Sequence, residues 1–169
     1  GSLEQADGTA WMAFFSQTML QIALELATDD PIYEQMALKF VEHSLWIAAA
    51  MDRVGDEHDE MWDEADGFFY DVLRLPDGNA TRLKVRSLVG LLPLCATSVV
   101  WEDVRGRFPR LFEGARRFLR RNPDLLAGVA PLDVEGLHGR RLLAVVDRDK
   151  AEAAKPAASS AACSARTGS

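Results

Sequence analysis

The sequence predicts a mainly α fold with a short β-hairpin near residues 68–85. Two long apolar segments with helical spacing, residues 11–26 and about 32–54, indicate the helices. The hairpin is indicated by strand-forming residues on either side of a turn signal, Pro-Asp-Gly-Asn at residues 76–79. A chain of 169 residues suits one modest domain.

The first helix is apolar nearly all round, with large side chains from Trp11 to Leu26. Asp7 or Thr9 is expected to cap its start, and Ala-Thr-Asp-Asp-Pro at residues 27–31 is expected to end it. A helix without a polar face is typically a buried helix, and a chain of this size rarely surrounds one completely.

The second helix is expected to end at Gly55, before the hairpin. In the apolar segment at residues 87–100, Gly90 and Pro93 interrupt any regular element. The remaining expected elements are a helix that resumes beyond Pro93, a short helix at 101–108, a helix at 109–122 that starts at Pro109, and a strand at 141–146.

Composition divides the chain into three parts. Residues 1–2 read as a cloning scar or a cut edge, and residues 3–150 as the folded domain. Residues 151–169 are almost entirely alanine, serine and small polar residues without periodicity. This tail is therefore expected to be disordered or non-native.

Charge and cysteine content exclude several classes of protein. A net charge of −7 argues against nucleic-acid binding, and the basic run at residues 116–121 reads as a solvated helix end. Cys95 and Cys163 form no CxxC pattern, which predicts neither a disulfide framework nor a zinc site and fits a reducing, cytoplasmic compartment. No apolar run approaches the roughly 20 residues that a membrane-spanning helix needs.

The stretch "MWDEADGFFYDVLRLPDG" at residues 61–78 interleaves carboxylates with aromatic residues. Three interpretations are open: a calcium loop, the rim of a sugar pocket, or a solvated turn. An EF-hand alignment with Gly67 at position 6 puts Trp62 at the first ligand position, and no closing helix follows. The histidines, among them His43, lack metal-ligand spacing, so neither a metal nor another cofactor is predicted.

Sugar binding fits the residue types better, since aromatic faces stack on pyranose rings and carboxylates accept hydroxyl hydrogen bonds. Two segments combine these groups, one in the stretch at residues 61–78 and one at the start of the first helix. For either segment alone, helix capping with a buried aromatic residue remains the simpler interpretation. The candidate substrate-binding residues are Asp7, Trp11, Trp62, Asp63, Glu64 and Asp66.

Several segments resemble one family in order along the chain: "LEQADGTAWMAFFSQTMLQIALELA", "YEQMALKFVEHSLWIAAAM", "MWDEADGFFYDVLRLPDG", "LKVRSLVGLLPLCA", "RRFLRRNPDL" and "GRRLLAVVDRDK". They are similar to the large bacterial glucosidase-like proteins related to glycoside hydrolase family 63 and to mannosylglycerate hydrolase. The resemblance covers residues 3–150 and does not extend into the tail.

This resemblance implies a partial (α/α)₆ toroid of about two helical hairpins. It also implies inverting glycoside hydrolysis, in which an acid and a base stand roughly 6.5–9.5 Å apart across the sugar. By comparison with the family, neither catalytic group is assigned within this chain. Asp7 is a weak catalytic candidate and a better candidate for positioning the sugar.

The expected function is therefore that of a fragment of a glycoside hydrolase for a small α-glucoside or related sugar conjugate, inactive on its own. A non-catalytic helical interaction module is the main alternative. A complete small hydrolase that uses Asp7 with Glu64 or Asp66 is a second alternative. Exposed faces of the inner helices would favour self-association of the isolated chain.

Overall fold

A computed structural model describes residues 1–51, 60–101, 104–126 and 140–144. These ranges contain both helices and short strands. The helices are α1 (Ala6–Leu26), α2 (Tyr33–Met51), α3 (Val104–Arg107) and α4 (Pro109–Arg121). The strands are β1 (Ser2–Glu4), β2 (Trp62–Asp63), β3 (Phe68–Phe69), β4 (Asp71–Arg74), β5 (Ala80–Leu83), β6 (Thr97–Trp101) and β7 (Arg140–Ala144).

The prediction of a mainly α fold, and of a partial (α/α)₆ toroid, is wrong. The described strands form small antiparallel sheets, ordered β1–β4–β5, β2–β3 and β6–β7, beside the helices. Where a helix was expected beyond Pro93, a 3₁₀ segment (Leu88–Cys95) leads into β6. Pro93 lacks a backbone N–H, and the β-branched Val99 and Val100 favour a strand.

The start of α1 is capped by a residue far away in the sequence. Gln5 occupies the N-cap position without a side-chain hydrogen bond, and neither Asp7 nor Thr9 takes that position. Instead the Ala6 N–H donates to Asp71 Oδ1 of β4 over 2.8 Å. This bond ties the first turn of α1 to the sheet.

The two faces of α1 differ in side-chain size. The buried face carries mostly small residues, and the opposite face exposes large apolar ones, so the expectation of a helix buried all round is wrong. The buried residues are Ala6, Ala10, Ala13, Ser16, Gln17, Leu20 and Ala23. The outer face of α1 comprises Trp11, Met12, Phe14, Phe15, Ile22 and Leu26, all exposed.

A buried carboxylate joins α2 to α4. Glu34 of α2 is buried, and its Oε2 accepts the Leu111 N–H at 3.0 Å. Leu111 lies in the first turn of α4, which begins at Pro109, so this bond satisfies one of the N–H groups that a helix start leaves unpaired. Further along, Phe118 of α4 packs edge-on against Trp46 of α2.

The expected hairpin is found as β4 and β5, which pair in register from Asp71–Leu83 to Arg74–Ala80. Gly78 takes a positive φ of 90° in the turn between them, a conformation that glycine adopts without strain. β1 pairs along the other edge of β4, from Ser2 opposite Arg74 to Glu4 opposite Val72.

Two apolar clusters hold these elements together. The larger one joins α1 and α2 to the small sheets and contains, among others, Trp62, Phe68, Phe69, Tyr70, Val72, Leu45 and Met51. The second lies between the helices and contains Leu20, Ala23, Ala27, Ala37, Phe108 and Leu111.

Some predictions lie outside the described residues. They are the end of the second helix at Gly55, the domain boundary at residue 150 and the tail at 151–169. The expected strand at 141–146 is seen as β7 to Ala144. In the described part of the chain, no helix has the length and apolar character that crossing a membrane requires.

Candidate functional site

The stretch at residues 61–78 folds as a tight β2–β3 loop that leads into β4. Trp62 pairs with Phe69 and Asp63 with Phe68, and Gly67 closes the turn at a φ of 59° by donating its N–H to the Asp63 carbonyl at 2.8 Å. Asp63 Oδ1 accepts the Asp66 N–H at 2.9 Å. The loop therefore uses one of its own carboxylates to fix its shape.

Trp62 lies inside the loop and not on its surface. Its side chain is 2% exposed, and its ring lies 4.9 Å from that of Phe69. The indole N–H donates to Glu64 Oε2, which holds that carboxylate against the loop. Neither face of the Trp62 ring is open for a sugar in this conformation.

Asp63 is nearly buried and forms ion pairs with Arg82 of β5 and with Lys84, which follows β5. Its Oδ2 lies 2.6 Å from Arg82 Nη1 and 2.7 Å from Lys84 Nζ. Burial alone would raise the pKa of Asp63. Hydrogen bonds from Lys84, the Asp66 backbone and Arg82 outweigh that effect and lower the pKa to about 2. Asp63 is therefore ionised at neutral pH and has no proton to donate.

Asp66 is held by three partners. Arg86 Nη2 lies 2.6 Å from Oδ1, Lys84 Nζ 3.0 Å from Oδ2, and the Tyr70 hydroxyl donates to Oδ2 over 3.1 Å. The hydrogen bond from Lys84 is the largest cause that lowers the pKa of Asp66, and those from Arg86 and Tyr70 add to it. Asp66, like Asp63, is a fixed anion.

The three cations of this cluster are functional groups that the sequence reasoning missed. Arg82, Lys84 and Arg86 alternate along the chain, and alternation places side chains on one face of an extended segment. That pattern was visible in the sequence. Asp71 Oδ1 accepts the Ala6 N–H at the start of α1, and Arg74 pairs with Glu4.

Asp7 and Trp11 lie together on the first turns of α1 and remain accessible. Asp7 is partly exposed and accepts the Gly8 N–H at 2.7 Å, and Trp11 is 59% exposed. The Trp11 and Phe14 rings form a T-shaped pair, with their centroids 6.1 Å apart. The structure thus places the six candidates in two groups, this pair on α1 and the four residues of the β2–β3 loop.

A cleft of about 390 Å³ opens beside the first turn of α1. Its polar wall includes Glu4 and Arg74, which pair at 2.6 Å between β1 and β4. Gly8, Ala50 and Met61 contribute small or apolar surface. No candidate substrate-binding residue named by the sequence lines this cleft.

Within the described ranges, no group of three or more histidine, cysteine, aspartate or glutamate side chains is arranged to hold a metal ion. Asp63 and Asp66 of the β2–β3 loop face arginine and lysine instead.

Comparison with known proteins gives one informative match. No protein-family model matches the chain, and no solved structure matches it. Over 162 residues the chain is 38% identical to the uncharacterized protein YMR196W of Saccharomyces cerevisiae. The match covers 89% of this chain and 15% of the yeast protein, whose name specifies no activity.

Proposed function

We propose that this chain is part of an inverting glycoside hydrolase that acts on a small α-glucoside or related sugar conjugate in the cytoplasm. It contributes sugar-contacting residues and not the complete catalytic pair. The observation that supports this proposal is the accessible pair of Asp7 and Trp11 on α1, together with the glycosidase resemblance.

The chemistry of the pair suits a pyranose. An exposed indole presents a flat apolar face to the C–H groups of the ring, and a carboxylate one helical turn away accepts hydrogen bonds from its hydroxyl groups. Trp11 is 59% exposed, whereas Trp62 is 2% exposed. Within the proposal, Trp11 and Asp7 contact the sugar, and the β2–β3 loop carries its carboxylates as a rigid, charged support.

The electrostatics of the loop argue against a role for Asp63 or Asp66 as the catalytic acid. An inverting enzyme needs one carboxylic acid that is protonated near the working pH and one carboxylate that activates water. The pKa of Asp63 is about 2, and that of Asp66 is also lowered, so neither can act as the acid. In a complete small hydrolase that pairs Asp7 with Asp66, Asp66 could therefore serve only as the base, and its carboxylate is already held by Arg86, Lys84 and Tyr70.

Sugar titration of the 169-residue chain tests the proposal. Methyl α-glucoside is expected to quench tryptophan fluorescence and to shift the amide resonances of residues near Asp7 and Trp11. Trp11→Ala and Asp7→Asn are expected to abolish binding. Trp46→Ala is the matched control, because Trp46 is 52% exposed on α2. Binding that survives Trp11→Ala but not Trp46→Ala would overturn the assignment.

A turnover assay tests the missing catalytic pair. The chain is expected to release no nitrophenol from p-nitrophenyl α-glucoside above the rate of buffer alone. Turnover that is lost in Asp7→Asn would show a complete active site within the chain and would contradict the proposal.

The alternative, a non-catalytic helical module that self-associates, is favoured by the outer face of α1. That face runs from Trp11 to Leu26, which is about 22 Å of helix at 1.5 Å per residue. Asp7 and Glu25 are the charged residues of α1 and lie near its opposite ends. In an antiparallel pair of copies, Glu25 of each would approach the positive N-terminal end of the other helix.

Sedimentation velocity distinguishes the alternative. A self-associating module gives one defined dimer at micromolar concentration, and Phe15→Asp converts it to monomer. Heterogeneous aggregates, or a monomer that binds methyl α-glucoside, would contradict it.

A further inference from the structure

Helix α4 concentrates positive charge on its exposed side, in a chain whose net charge is −7. It carries five arginines and one glutamate, and all of them are exposed. The arginines are Arg110, Arg116, Arg117, Arg120 and Arg121. Arg120 Nη2 lies 3.7 Å from Glu113 Oε1, and within the described part of the chain the other four arginines have no carboxylate partner. The described part of the fold thus leaves most of the positive charge of α4 without a counterion.

The arginines lie in two rows along α4. Arg110, Arg117 and Arg121 are separated by seven and four residues, which places them on one side of the helix over about 16 Å. These three form the arginine row. Arg116 and Arg120 are four residues apart and lie on the adjacent side, about 100° around the helix axis.

The opposite side of α4 packs against α2. Leu111 is buried, and a Cβ at Gly114 would overlap the Leu38 side chain of α2. Further along, Phe118 meets Trp46 of α2 edge-on. A helix that lies on a membrane inserts its apolar side into the lipid, but the apolar side of α4 is taken up by these contacts. The exposed side therefore offers charge and not apolar surface.

This charge pattern is unfavourable for the helix on its own. Arg110 lies in the first turn, at the positive end of the helix dipole, and that turn contains no acidic residue. Arg117 and Arg121 are four residues apart, a spacing at which like charges repel each other. Compensation of the dipole explains the arginines of the last turn, Arg120 and Arg121, but not the others. A negatively charged partner would remove this repulsion.

We propose that the arginine row binds an acidic segment of a partner protein, with carboxylates spaced by one or two helical turns. The guanidinium group donates paired N–H bonds to a carboxylate. A single exposed ion pair contributes little, so several pairs along the row are needed for binding. A nucleic acid or an anionic membrane extends its charge beyond the row and meets repulsion from the rest of a chain with net charge −7, whereas a short acidic segment contacts α4 alone.

The inference is independent of the proposed sugar site, because α4 contains none of the residues assigned to the sugar. A pair of designed peptides tests it on the 169-residue chain. The matched peptide is an alanine-based helix with glutamates along one face at intervals of seven and four residues. The scrambled peptide has the same composition, with its glutamates distributed around the helix. Binding is measured by the fluorescence anisotropy of labelled peptide at low and at physiological salt concentration.

The matched peptide is expected to bind about tenfold more tightly than the scrambled peptide. Its affinity is expected to fall as the salt concentration rises, because the ion pairs are exposed. Equal affinities of the two peptides, or no binding by either, would overturn the inference.

Two neighbouring arginines provide a matched pair of variants. Arg117→Gln and Arg116→Gln remove the same charge from adjacent exposed positions, and glutamine is a good helix former. At physiological salt, Arg117→Gln is expected to weaken binding of the matched peptide about threefold, while Arg116→Gln leaves it nearly unchanged. Equal losses in the two variants would mean that net charge alone attracts the peptide, which would overturn the arginine row as the binding surface.

Other anions test the choice of an acidic protein segment. A short DNA duplex and vesicles that contain phosphatidylserine are expected to bind more weakly than the matched peptide at the same salt concentration. Tighter binding of either one, weakened by Arg117→Gln, would assign the row to a nucleic acid or to a membrane surface and would overturn the proposal.

Discussion

Asp63 and Asp66 in the β2–β3 loop are held by Arg82, Lys84 and Arg86, whereas Trp11 on α1 presents its ring to solvent. Both regions combine carboxylates with aromatic residues in the sequence. The first uses them to build a rigid loop over the core, and the second leaves them available. The same residue types thus stabilise the fold in the β2–β3 loop and remain accessible to a ligand on α1. The difference between the two regions is the burial of their side chains.

The difference follows from what each region packs against. β2 and β3 pack with α2 and the 3₁₀ segment in one apolar cluster, which encloses Trp62 and Phe68. The carboxylates of Asp63 and Asp66 lie beside the arginine and lysine side chains of the segment after β4. α1 buries only its small-residue face. If the two regions differ in this way, substitutions in the loop should destabilise the fold and substitutions on the outer face of α1 should not.

The largest effect is expected from Gly90→Ala, beneath the loop. A Cβ at Gly90 would overlap the Phe68 ring and the Phe69 carbonyl oxygen, so the backbone must move. We expect a loss of about 3 kcal/mol or more in the free energy of unfolding, measured by urea denaturation. Gly106→Ala in α3 is the control, since a Cβ there meets nothing within 4 Å. Equal effects of the two substitutions would contradict the close packing.

Asp63→Asn removes the charge at the centre of the ion cluster. Asp63 is 4% exposed, and without its charge Arg82 loses a close partner. We expect a loss of about 2–3 kcal/mol, below the value for fully buried pairs because Lys84 is half exposed. Glu113→Gln, which alters an exposed pair with Arg120, serves as the control. If both variants lost the same free energy of unfolding, the burial of Asp63 would not be the cause of its contribution to stability.

The pH dependence of stability should report the same carboxylate. The pKa of Asp63 is about 2 in the folded chain against 3.8 as the ordinary value, so the folded state binds this proton less readily than the unfolded state. Its contribution, about 2 kcal/mol, is present above pH 3.8 and is lost as the pH falls toward 2. The difference in unfolding free energy between the unchanged chain and Asp63→Asn should therefore shrink over that range. A constant difference would contradict the lowered pKa.

Ser44→Ala is expected to stabilise the fold. Ser44 is 3% exposed on α2, and its hydroxyl has no hydrogen-bond partner among the residues that the structure describes. Removal of an unsatisfied buried hydroxyl is expected to add about 1 kcal/mol to the free energy of unfolding. Ser98→Ala is the counterpart, because the Ser98 hydroxyl donates to Gln17 Oε1 at 3.3 Å, and this variant is expected to lose stability. If both substitutions, or neither of them, stabilised the fold, the assignment of an unsatisfied hydroxyl to Ser44 and a hydrogen-bonded one to Ser98 would be contradicted.

Local signals in the sequence located the elements but not their partners. The Pro-Asp-Gly-Asn turn predicted the hairpin between β4 and β5, and Pro109 marked the start of α4, because turn and cap chemistry is local. Asp71 caps α1 at Ala6, 65 positions away in the sequence, and Glu34 caps α4 at Leu111, 77 positions away. The periodicity of a sequence does not encode such long-range contacts. The strand β6 was missed because a short apolar run has no distinguishing period.

The candidate site divides in the same way. Asp7 and Trp11 are one helical turn apart, so the helix alone brings them together. Trp62 was expected at a surface, but its side chain points into the core. Its orientation is set by packing against Phe69 and by the turn at Gly67. The alternation of Arg82, Lys84 and Arg86 was a signal that could have predicted the pairing of Asp63 and Asp66, and the sequence reasoning missed it.

The smallest effect is expected from Phe15→Gln on the outer face of α1. Phe15 is 54% exposed, and glutamine is a good helix former, so little packing is lost and the helix is retained. We expect a change of less than about 0.5 kcal/mol in the free energy of unfolding at submicromolar concentration. A loss as large as that of Asp63→Asn would mean that the outer face is covered in the isolated chain. A small change in stability, accompanied by lower turbidity at high concentration, would instead mean that the face contributes to association and not to the fold.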